Sequence, residues 1–167
     1  IGSGDYIIYP KELVTKLDFE GELAVVIGKT TRYASESQAK DSILGYTIAN
    51  DVTARNLQPK QGQWTIAKSF DTFLPVGPWI ETDIDPGNLK IETRLNNVVK
   101  QSSNTAEMLF PIDHIVSYLS KVMTLNPGDL IITGTPPGVG SMAIGDVVRV
   151  TIEGLGYLEN TVKAEDI

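Results

Sequence analysis

Seven short strand-like runs constrain the fold of this chain more than any other feature of its sequence. Most of them are bounded by Gly, Pro, Asp or Asn, which is typical of strand ends. The runs are YIIYP (6–10), GELAVVIGK (21–29), ILGYTIAND (43–51), GPWIET (77–82), LKIETRLNN (89–97), DLIITGT (129–135) and DVVRVTIEG (146–154). This pattern predicts a β-rich domain.

Helical periodicity is clear in only one segment. Apolar residues recur at helical spacing there, namely Ile112, Ile115, Val116, Leu119 and Met123, and Asn126-Pro127-Gly128 stops the run. A shorter helix is predicted to begin at Ser35, because Ser35-x-x-Gln38 has the form of a capping box. We therefore expect an α+β fold, mainly β, formed by residues 1–167 as a single domain.

Composition excludes several classes of function. The chain has 167 residues, 41% of them hydrophobic, and it contains no cysteine, so neither disulfides nor thiolate metal sites are available. No apolar run reaches the roughly 18 residues of a membrane span, and nothing resembles a secretory signal. The formal net charge of -7 disfavours nucleic acid as a partner. A soluble cytoplasmic protein is the expectation.

The stretch DFEGELAVVIGK (18–29) carries two glutamates at the mouth of a buried strand. Side chains alternate between the faces of a strand, so Glu20 and Glu22 project together. Two carboxylates in a partly desolvated place either raise a pKa or bind a cation, and oxygen ligands favour Mg²⁺, Mn²⁺ or Ca²⁺. The same pair also fits a solvated strand face in an acidic protein.

Asp51 ends the run ILGYTIAND, where a carboxylate can reach a cleft shared with a neighbouring strand. It fits equally well as the cap of a short helix DVTARNLQ, with Arg55 four residues later as its ion-pair partner. If Asp51 ligates a metal, Arg55 and Gln58 follow on one helical face. They would offer a guanidinium fork and an amide to a substrate carboxylate or carbonyl.

Lys68 lies among apolar residues in WTIAKSFD (64–71). It is a candidate for holding an enolate or carboxylate oxygen or for proton transfer, and the alternative is a surface lysine paired with Asp71. The loop GTPPGVG (134–140) lets a ligand approach backbone N–H groups beside the Thr135 hydroxyl, or is a structural turn. His114, the only histidine, has no partner spacing for a metal and is predicted to be a surface or packing residue.

Four blocks of the sequence, in this order, resemble the fumarylacetoacetate hydrolase family. They are DFEGELAVVIG (18–28), GYTIANDVTARNLQ (45–58), WTIAKSFDTFLPVGPW (64–79) and LNPGDLIITGTPPGVG (125–140). The resemblance covers essentially the whole chain and implies a mixed β-sandwich roll, of the type of the family's C-terminal catalytic domain, with a few short helices. It also implies a homodimer.

The resemblance implies a divalent metal, usually Mg²⁺ and alternatively Mn²⁺ or Ca²⁺, held by Glu20, Glu22 and Asp51. It implies further that Arg55, Gln58 and Thr135 bind substrate and that Lys68 is catalytic. Family members act on 2-oxo or 2,4-dioxo acids of the acylpyruvate type, some of them in the catabolism of aromatic compounds. They hydrolyse C–C bonds, decarboxylate, isomerise or dehydrate through an enolate that a metal stabilises.

One departure from the family pattern bears on the reaction. Family members usually begin with a segment that carries a His-x-x-Glu dyad on a lid, whereas this sequence opens with IGSGDYIIYP. We expect residues preceding Ile1 to be missing. The alternatives are a dehydratase or hydratase of 2-keto-3-deoxy acids, or a protein that binds oxo acids without catalysis because it lacks the dyad.

Overall fold

The computed structural model describes residues 1–165 and contains, in that part of the chain, twelve β-strands and three α-helices. The strands are β1 (Tyr6–Tyr9), β2 (Leu17–Phe19), β3 (Gly21–Ile27), β4 (Ile43–Asn50), β5 (Thr53–Ala54), β6 (Val76–Glu81), β7 (Lys90–Leu95), β8 (Val98–Asn104), β9 (Leu130–Ile132), β10 (Gly140–Met142), β11 (Val147–Ile152) and β12 (Gly156–Ala164). The α-helices are α1 (Glu36–Lys40), α2 (Thr65–Lys68) and α3 (Ile112–Val122). Short 3₁₀ turns cover Arg55–Leu57, Pro86–Asn88 and Thr105–Glu107.

The described strands form three sheets. A five-stranded sheet has the order β1-β12-β11-β7-β8, a four-stranded sheet has the order β6-β4-β3-β9, and a small sheet joins β10, β2 and β5. The β1–β12 pair is parallel and the other pairs are antiparallel. The predicted α+β fold with a majority of β-structure is therefore confirmed.

Two apolar clusters hold the sheets together. The larger cluster contains side chains from the four-stranded sheet, such as Leu23 and Ile48, and from the five-stranded sheet, such as Val150 and Leu158. Helix α3 covers one end of it with Ile112 and Val116. The smaller cluster surrounds β2 and contains its Leu17 and Phe19. Burial of these apolar side chains is the main favourable contribution to folding.

All seven predicted runs contain strands, and the capping box at Ser35 is present. The pattern misses β2, β5, β8, β10 and β12, of which β2, β5 and β10 are three residues long or shorter. Strand β8 (VVKQSSN) is largely exposed and polar because it lies at the edge of its sheet. Within residues 1–165, none of the helices combines the length and hydropathy needed to cross a membrane.

The register between β3 and β4 builds the region of interest. Gly21 pairs with Asn50 and Glu22 with Ala49, so the end of β4 returns beside the start of β3. The side-chain oxygen of Asn50 accepts the N–H of Glu20 at 2.9 Å. The N–H of Asp51 donates to the Glu20 carbonyl at 2.8 Å. Residues that are about thirty positions apart are thus fixed next to each other.

Candidate active site

Three carboxylates form a compact cluster at this strand junction. Glu20 lies between β2 and β3, Glu22 is the second residue of β3, and Asp51 directly follows β4. One carboxylate oxygen from each residue lies within 4.8 Å of those from the other two. Glu20 and Glu22 are only 8% and 3% exposed. The structure therefore brings together the three residues for which metal binding was predicted.

Lys68, at the end of α2, contacts two of these carboxylates. Its Nζ lies 2.9 Å from Oε2 of Glu20, forms a hydrogen bond with Oδ2 of Asp51 and donates to Oγ1 of Thr53 at 2.8 Å. Lys68 therefore pairs with the carboxylate cluster and not with Asp71, so the interpretation of Lys68 as a surface lysine is wrong. The three N–H donors of the ammonium group are all used in these contacts.

Arg55 lies on the other side of Glu20. Its Nε donates to Oδ2 of Asp18 at 2.8 Å, one terminal nitrogen contacts Oε1 of Glu20, and the other contacts Oε1 of Gln58. A helix that would pair Arg55 with Asp51 does not form, because β5 and a 3₁₀ turn occupy this segment. Arg55 and Gln58 are therefore adjacent to the cluster and to each other.

Burial dominates the electrostatics of the cluster. Desolvation raises the pKa of Glu22 to about 7, against a hydrogen bond from Gly134 that lowers it, and the charges of Asp51 and Glu20 raise it further. Burial also raises the pKa of Asp51, while its hydrogen bond with Lys68 acts in the opposite direction. Ionising every member of this cluster therefore costs free energy unless further positive charge is supplied.

The residues present fit a divalent cation. The candidate ligands are all carboxylate oxygens, which Mg²⁺, Mn²⁺ and Ca²⁺ prefer. Among the described residues, four carboxylates (Asp18, Glu20, Glu22 and Asp51) share ion pairs or close contacts with three cationic side chains (Lys16, Arg55 and Lys68), so the fully ionised group carries -4 + 3 = -1. A divalent ion would offset this remaining negative charge and satisfy the buried oxygens.

The loop after β9 reaches the same cluster. The backbone N–H of Gly134 donates to Oε2 of Glu22 at 2.6 Å. The Thr135 hydroxyl donates to the carbonyl of Gly21 at 2.9 Å and accepts from Nε2 of Gln101 at 2.8 Å. Thr135 thus lies against the strand that carries the two glutamates. Its hydroxyl would have to leave the Gly21 carbonyl in order to donate to a substrate.

A mostly apolar cavity of about 380 Å³ lies behind this loop, lined by Gly134, Thr135, Pro136, Leu23 and Phe110 among others.

His114 contacts side chains outside the cluster of Glu20, Glu22 and Asp51. Its Nδ1 lies 2.8 Å from Oε1 of Glu36, and its ring stacks on Phe110. The prediction that His114 is a surface or packing residue agrees with this position.

A comparison with protein families matches residues 1–163 to the family described as fumarylacetoacetate (FAA) hydrolase, C-terminal. The chain belongs to the fumarylacetoacetate hydrolase family. The resemblance of the four sequence blocks is thereby confirmed. The family match extends over the strands, the carboxylate cluster and the Gly/Pro loop.

Among curated relatives, protein MJ1656 of Methanocaldococcus jannaschii is 56% identical to this chain. The alignment covers 97% of this chain and 68% of MJ1656. Oxaloacetate tautomerase YisK of Bacillus subtilis is 44% identical over 96% of the chain and 57% of its own length. The chain spans 68%, 64% and 56% of the lengths of the first three curated relatives.

Solved structures share the fold closely. The 2-hydroxyhepta-2,4-diene-1,7-dioate isomerase of Mycobacterium marinum has a TM-score of 0.95 at 51% identity. This match covers 99% of the present chain and 66% of the isomerase chain. The fumarylpyruvate hydrolase of Pseudomonas aeruginosa, in complex with Mn²⁺ and pyruvate, has a TM-score of 0.91 at 32% identity. This match covers 99% of the present chain and 74% of the hydrolase chain.

Two residues near the cluster were not singled out from the sequence. Asp18 is 2% exposed and accepts hydrogen bonds from Arg55 and from Oγ of Ser141. A signal for it was present, because Asp18, Glu20 and Glu22 follow one another at a spacing of two. Gln101, which binds the loop, lies in a polar segment that gives no comparable signal.

Proposed function

We propose that this chain carries the catalytic site of a metal-dependent enzyme that acts on 2-oxo and 2,4-dioxo acids. The observation that carries the proposal is the buried cluster of Glu20, Glu22 and Asp51, with Lys68 and Arg55 in direct contact. Clefts that combine buried carboxylates, perturbed pKa values and converging cationic donors are typical of catalytic sites.

The three carboxylates would hold the cation, which we expect to be Mg²⁺ or Mn²⁺. When bound, it would act as a Lewis acid that polarises the oxo group and stabilises negative charge on the enol oxygen. Mn²⁺ together with pyruvate, a 2-oxo acid, in the related fumarylpyruvate hydrolase supports this assignment. Hydrogen bonds from Gly134 to Glu22 and from Lys68 to Glu20 orient two of the carboxylates in advance.

Arg55 and Gln58 would bind the carboxylate of the substrate. A guanidinium group has five N–H donors, and Arg55 uses three of them on Asp18, Glu20 and Gln58, which leaves 5 - 3 = 2. Asp18 and Glu20 fix the plane of the guanidinium, so these remaining donors have a defined direction. Fixed donors of this kind orient a carboxylate at low entropic cost.

Lys68 is our candidate for proton transfer at the carbon next to the oxo group. Its Nζ lies beside two of the three proposed metal ligands, so a substrate held at the cluster would lie close to it. Because all three of its N–H donors are engaged, a substrate oxygen or carbon would have to replace one of these contacts. Thr135, after rotation of its hydroxyl, would supply a further donor to the substrate.

Isomerisation is the reaction that we place first. The relative named oxaloacetate tautomerase is 44% identical in sequence, and the structure named 2-hydroxyhepta-2,4-diene-1,7-dioate isomerase shares the fold at 51% identity. Both names describe proton shifts. C–C bond hydrolysis and decarboxylation start from the same polarised oxo acid and stay within the proposal. We further propose that the protein is a cytoplasmic homodimer that uses Mg²⁺ in the cell. Size-exclusion chromatography with light scattering tests the dimer, and metal analysis of purified protein tests the metal.

The proposal is tested by assaying the Mn²⁺-loaded protein for tautomerisation and decarboxylation of oxaloacetate and for hydrolysis of an acylpyruvate. We expect Glu20→Gln and Asp51→Asn to lower turnover about 100-fold, and the exposed Glu12→Gln to leave it unchanged. Wild-type turnover by both site variants would contradict the proposal. Dehydration of 2-keto-3-deoxy acids alone, or oxalate binding without any turnover, would replace it by the corresponding alternative.

A further inference from the structure

Gln101 is the only buried residue of β8, an otherwise exposed or half-buried strand within the described chain. Its burial follows from an irregularity in the strand pairing. Thr93 of β7 pairs with Gln101 and the next residue, Arg94, pairs with Val99, so Lys100 is an extra residue. A bulge of this kind redirects the neighbouring side chain. A polar amide is thereby directed into the interior of the protein.

The Gln101 side chain closes a ring of hydrogen bonds. Its Oε1 accepts the N–H of Gly21 at 3.2 Å, and its Nε2 donates to the Thr135 hydroxyl at 2.8 Å. The Thr135 hydroxyl then donates to the carbonyl of the same Gly21 at 2.9 Å. Nε2 also donates to the carbonyl of Pro136 at 2.7 Å. One amide thus joins β8, the start of β3 and the Gly/Pro loop.

Two members of this ring, Gly21 and Thr135, are sequence neighbours of residues that belong to or contact the carboxylate cluster. Gly21 is the residue between Glu20 and Glu22. Gly134, next to Thr135, donates its N–H to Oε2 of Glu22. The backbone at Gly21 is itself closely packed, since a Cβ there would overlap Oγ1 of Thr93. A shift of the loop relative to Gly21 would therefore move the Gly134 donor away from the Glu22 carboxylate.

The loop also packs directly against the bulge. Gly138 has a φ of +107°, and a Cβ at this position would overlap the carbonyl oxygen of Lys100. The bulge residue and its neighbour Gln101 therefore contact the loop at two points, one through backbone packing and one through hydrogen bonds. A three-residue strand, β10, begins at Gly140 and ends the loop.

We propose that Gln101 is a positioning residue for the metal centre, which rests on the proposed function of Glu20, Glu22 and Asp51. It holds the 134–136 segment and the Gly21 peptide in one register. In that register the Gly134 N–H orients Glu22, and the backbone on either side of Gly21 sets the separation of the two glutamates. Gln101 does not touch the ligand oxygens and acts through these intermediaries.

The test compares two buried amides in the same five-stranded sheet. Gln101→Met keeps approximate size but removes all three hydrogen bonds of the side chain. Asn160 on β12 is 2% exposed and its Nδ2 donates to the carbonyls of Gly2 and Asp5, so Asn160→Leu is a matched control that breaks buried amide hydrogen bonds to residues outside the cluster and the loop. The Mn²⁺ dissociation constant is measured by calorimetry, and the unfolding midpoint in urea is measured without metal.

We expect both variants to lose stability and only Gln101→Met to bind Mn²⁺ about 10- to 100-fold more weakly, with a changed Mn²⁺ EPR spectrum. Wild-type affinity and spectrum in Gln101→Met would overturn the inference, as would equal loss of affinity in Asn160→Leu. If wild-type protein binds no Mn²⁺, the proposed function fails, and the inference fails with it.

Gln101→Glu provides a second test should Gln101→Met not fold. The carboxylate keeps the acceptor for the Gly21 N–H but cannot donate to Thr135 or Pro136 when ionised. Its added negative charge alone would strengthen cation binding. Weaker Mn²⁺ binding in this variant would therefore support the positioning role, and unchanged or tighter binding would overturn it.

Discussion

The backbone N–H of Gly134 donates a 2.6 Å hydrogen bond to Oε2 of Glu22, 112 positions earlier in the chain. This bond favours the ionised carboxylate, yet burial outweighs it and raises the pKa of Glu22 to about 7. Binding of a metal ion to Glu22 near neutral pH would therefore release a proton from this carboxyl group. The exchange has consequences for metal affinity and for stability.

Metal affinity should depend on pH because a cation needs Glu22 ionised. We expect the Mn²⁺ dissociation constant to fall roughly tenfold between pH 6 and pH 8, since ionisation of a group with a pKa of about 7 rises from about one tenth to about nine tenths over that range. Binding at pH 6 should release close to one proton. Calorimetry in two buffers of different ionisation enthalpy measures both quantities. Equal affinity at both pH values without proton release would exclude this linkage.

Stability of the metal-free protein should respond in the opposite direction. The pKa of Glu22 is raised on folding from 4.5 to about 7, so between these values the folded state keeps a proton that the unfolded state has released. The contribution of Glu22 to stability is therefore lost as pH rises through this window. We expect the free energy of unfolding of Glu22→Gln, relative to that of wild type, to rise by on the order of 2 kcal/mol from pH 5 to pH 8. Urea unfolding at each pH measures it. A constant difference between the two proteins would refute this.

Lys68 should contribute more to the stability of the metal-free protein than to that of the Mn²⁺-bound protein. Lys68→Met leaves Glu20 and Asp51 without their shared ammonium partner, which should lower stability by about 3 kcal/mol. Mn²⁺ supplies replacement charge, so it should raise the melting temperature of Lys68→Met more than that of wild type. Turnover should still fall at least about 100-fold because the proton-transfer group is gone.

Thermal melts with and without Mn²⁺, together with a turnover assay, measure these effects. Exposed Lys60→Met is the control and should behave as wild type in both experiments. Equal stabilisation of wild type and Lys68→Met by Mn²⁺ would show that the ammonium and the metal do not compensate for each other. Retained turnover in Lys68→Met would remove Lys68 from the proposed mechanism.

Asp18 should affect substrate binding through Arg55. Asp18→Asn weakens the hold on Nε of Arg55, whereas Ser141→Ala removes only a hydroxyl donor to Asp18 and leaves the Arg55 contact in place. We expect the KM for an oxo acid to rise about tenfold in Asp18→Asn and less than about twofold in Ser141→Ala, because an ion pair that fixes the guanidinium is worth more than one hydroxyl contact. Equal effects of the two substitutions on KM would contradict a role through Arg55.

The sequence predicted the cluster where local spacing carries the information. The spacing of two predicts that Glu20 and Glu22 project together, and Asp51 stands at the end of a recognisable strand. The same spacing extends to Asp18, which the metal hypothesis left out. Strand periodicity was therefore informative even beyond the residues for which it was used.

Partners set by tertiary pairing could not be predicted from local pattern. One of the two interpretations of Asp51 paired it with Arg55 four residues later, but β2 pairs with β5 and places Arg55 next to Asp18 and Glu20. The i,i+4 rule applies only within a helix, and this segment forms none. Gln101 is a further case, since its burial depends on a bulge and on a loop 34 positions away.

The proposed metal centre is measured most directly by Mn²⁺ binding to wild type, Asp51→Asn and Glu20→Gln at pH 8. We expect one Mn²⁺ per chain in wild type and an affinity lowered at least about tenfold in each variant, with Glu12→Gln unchanged. Oxalate added to the Mn²⁺-loaded wild type should alter the EPR spectrum of the ion. Absence of a stoichiometric Mn²⁺ site in wild type, or an equal affinity in all four proteins, would show that Glu20, Glu22 and Asp51 are not a metal centre.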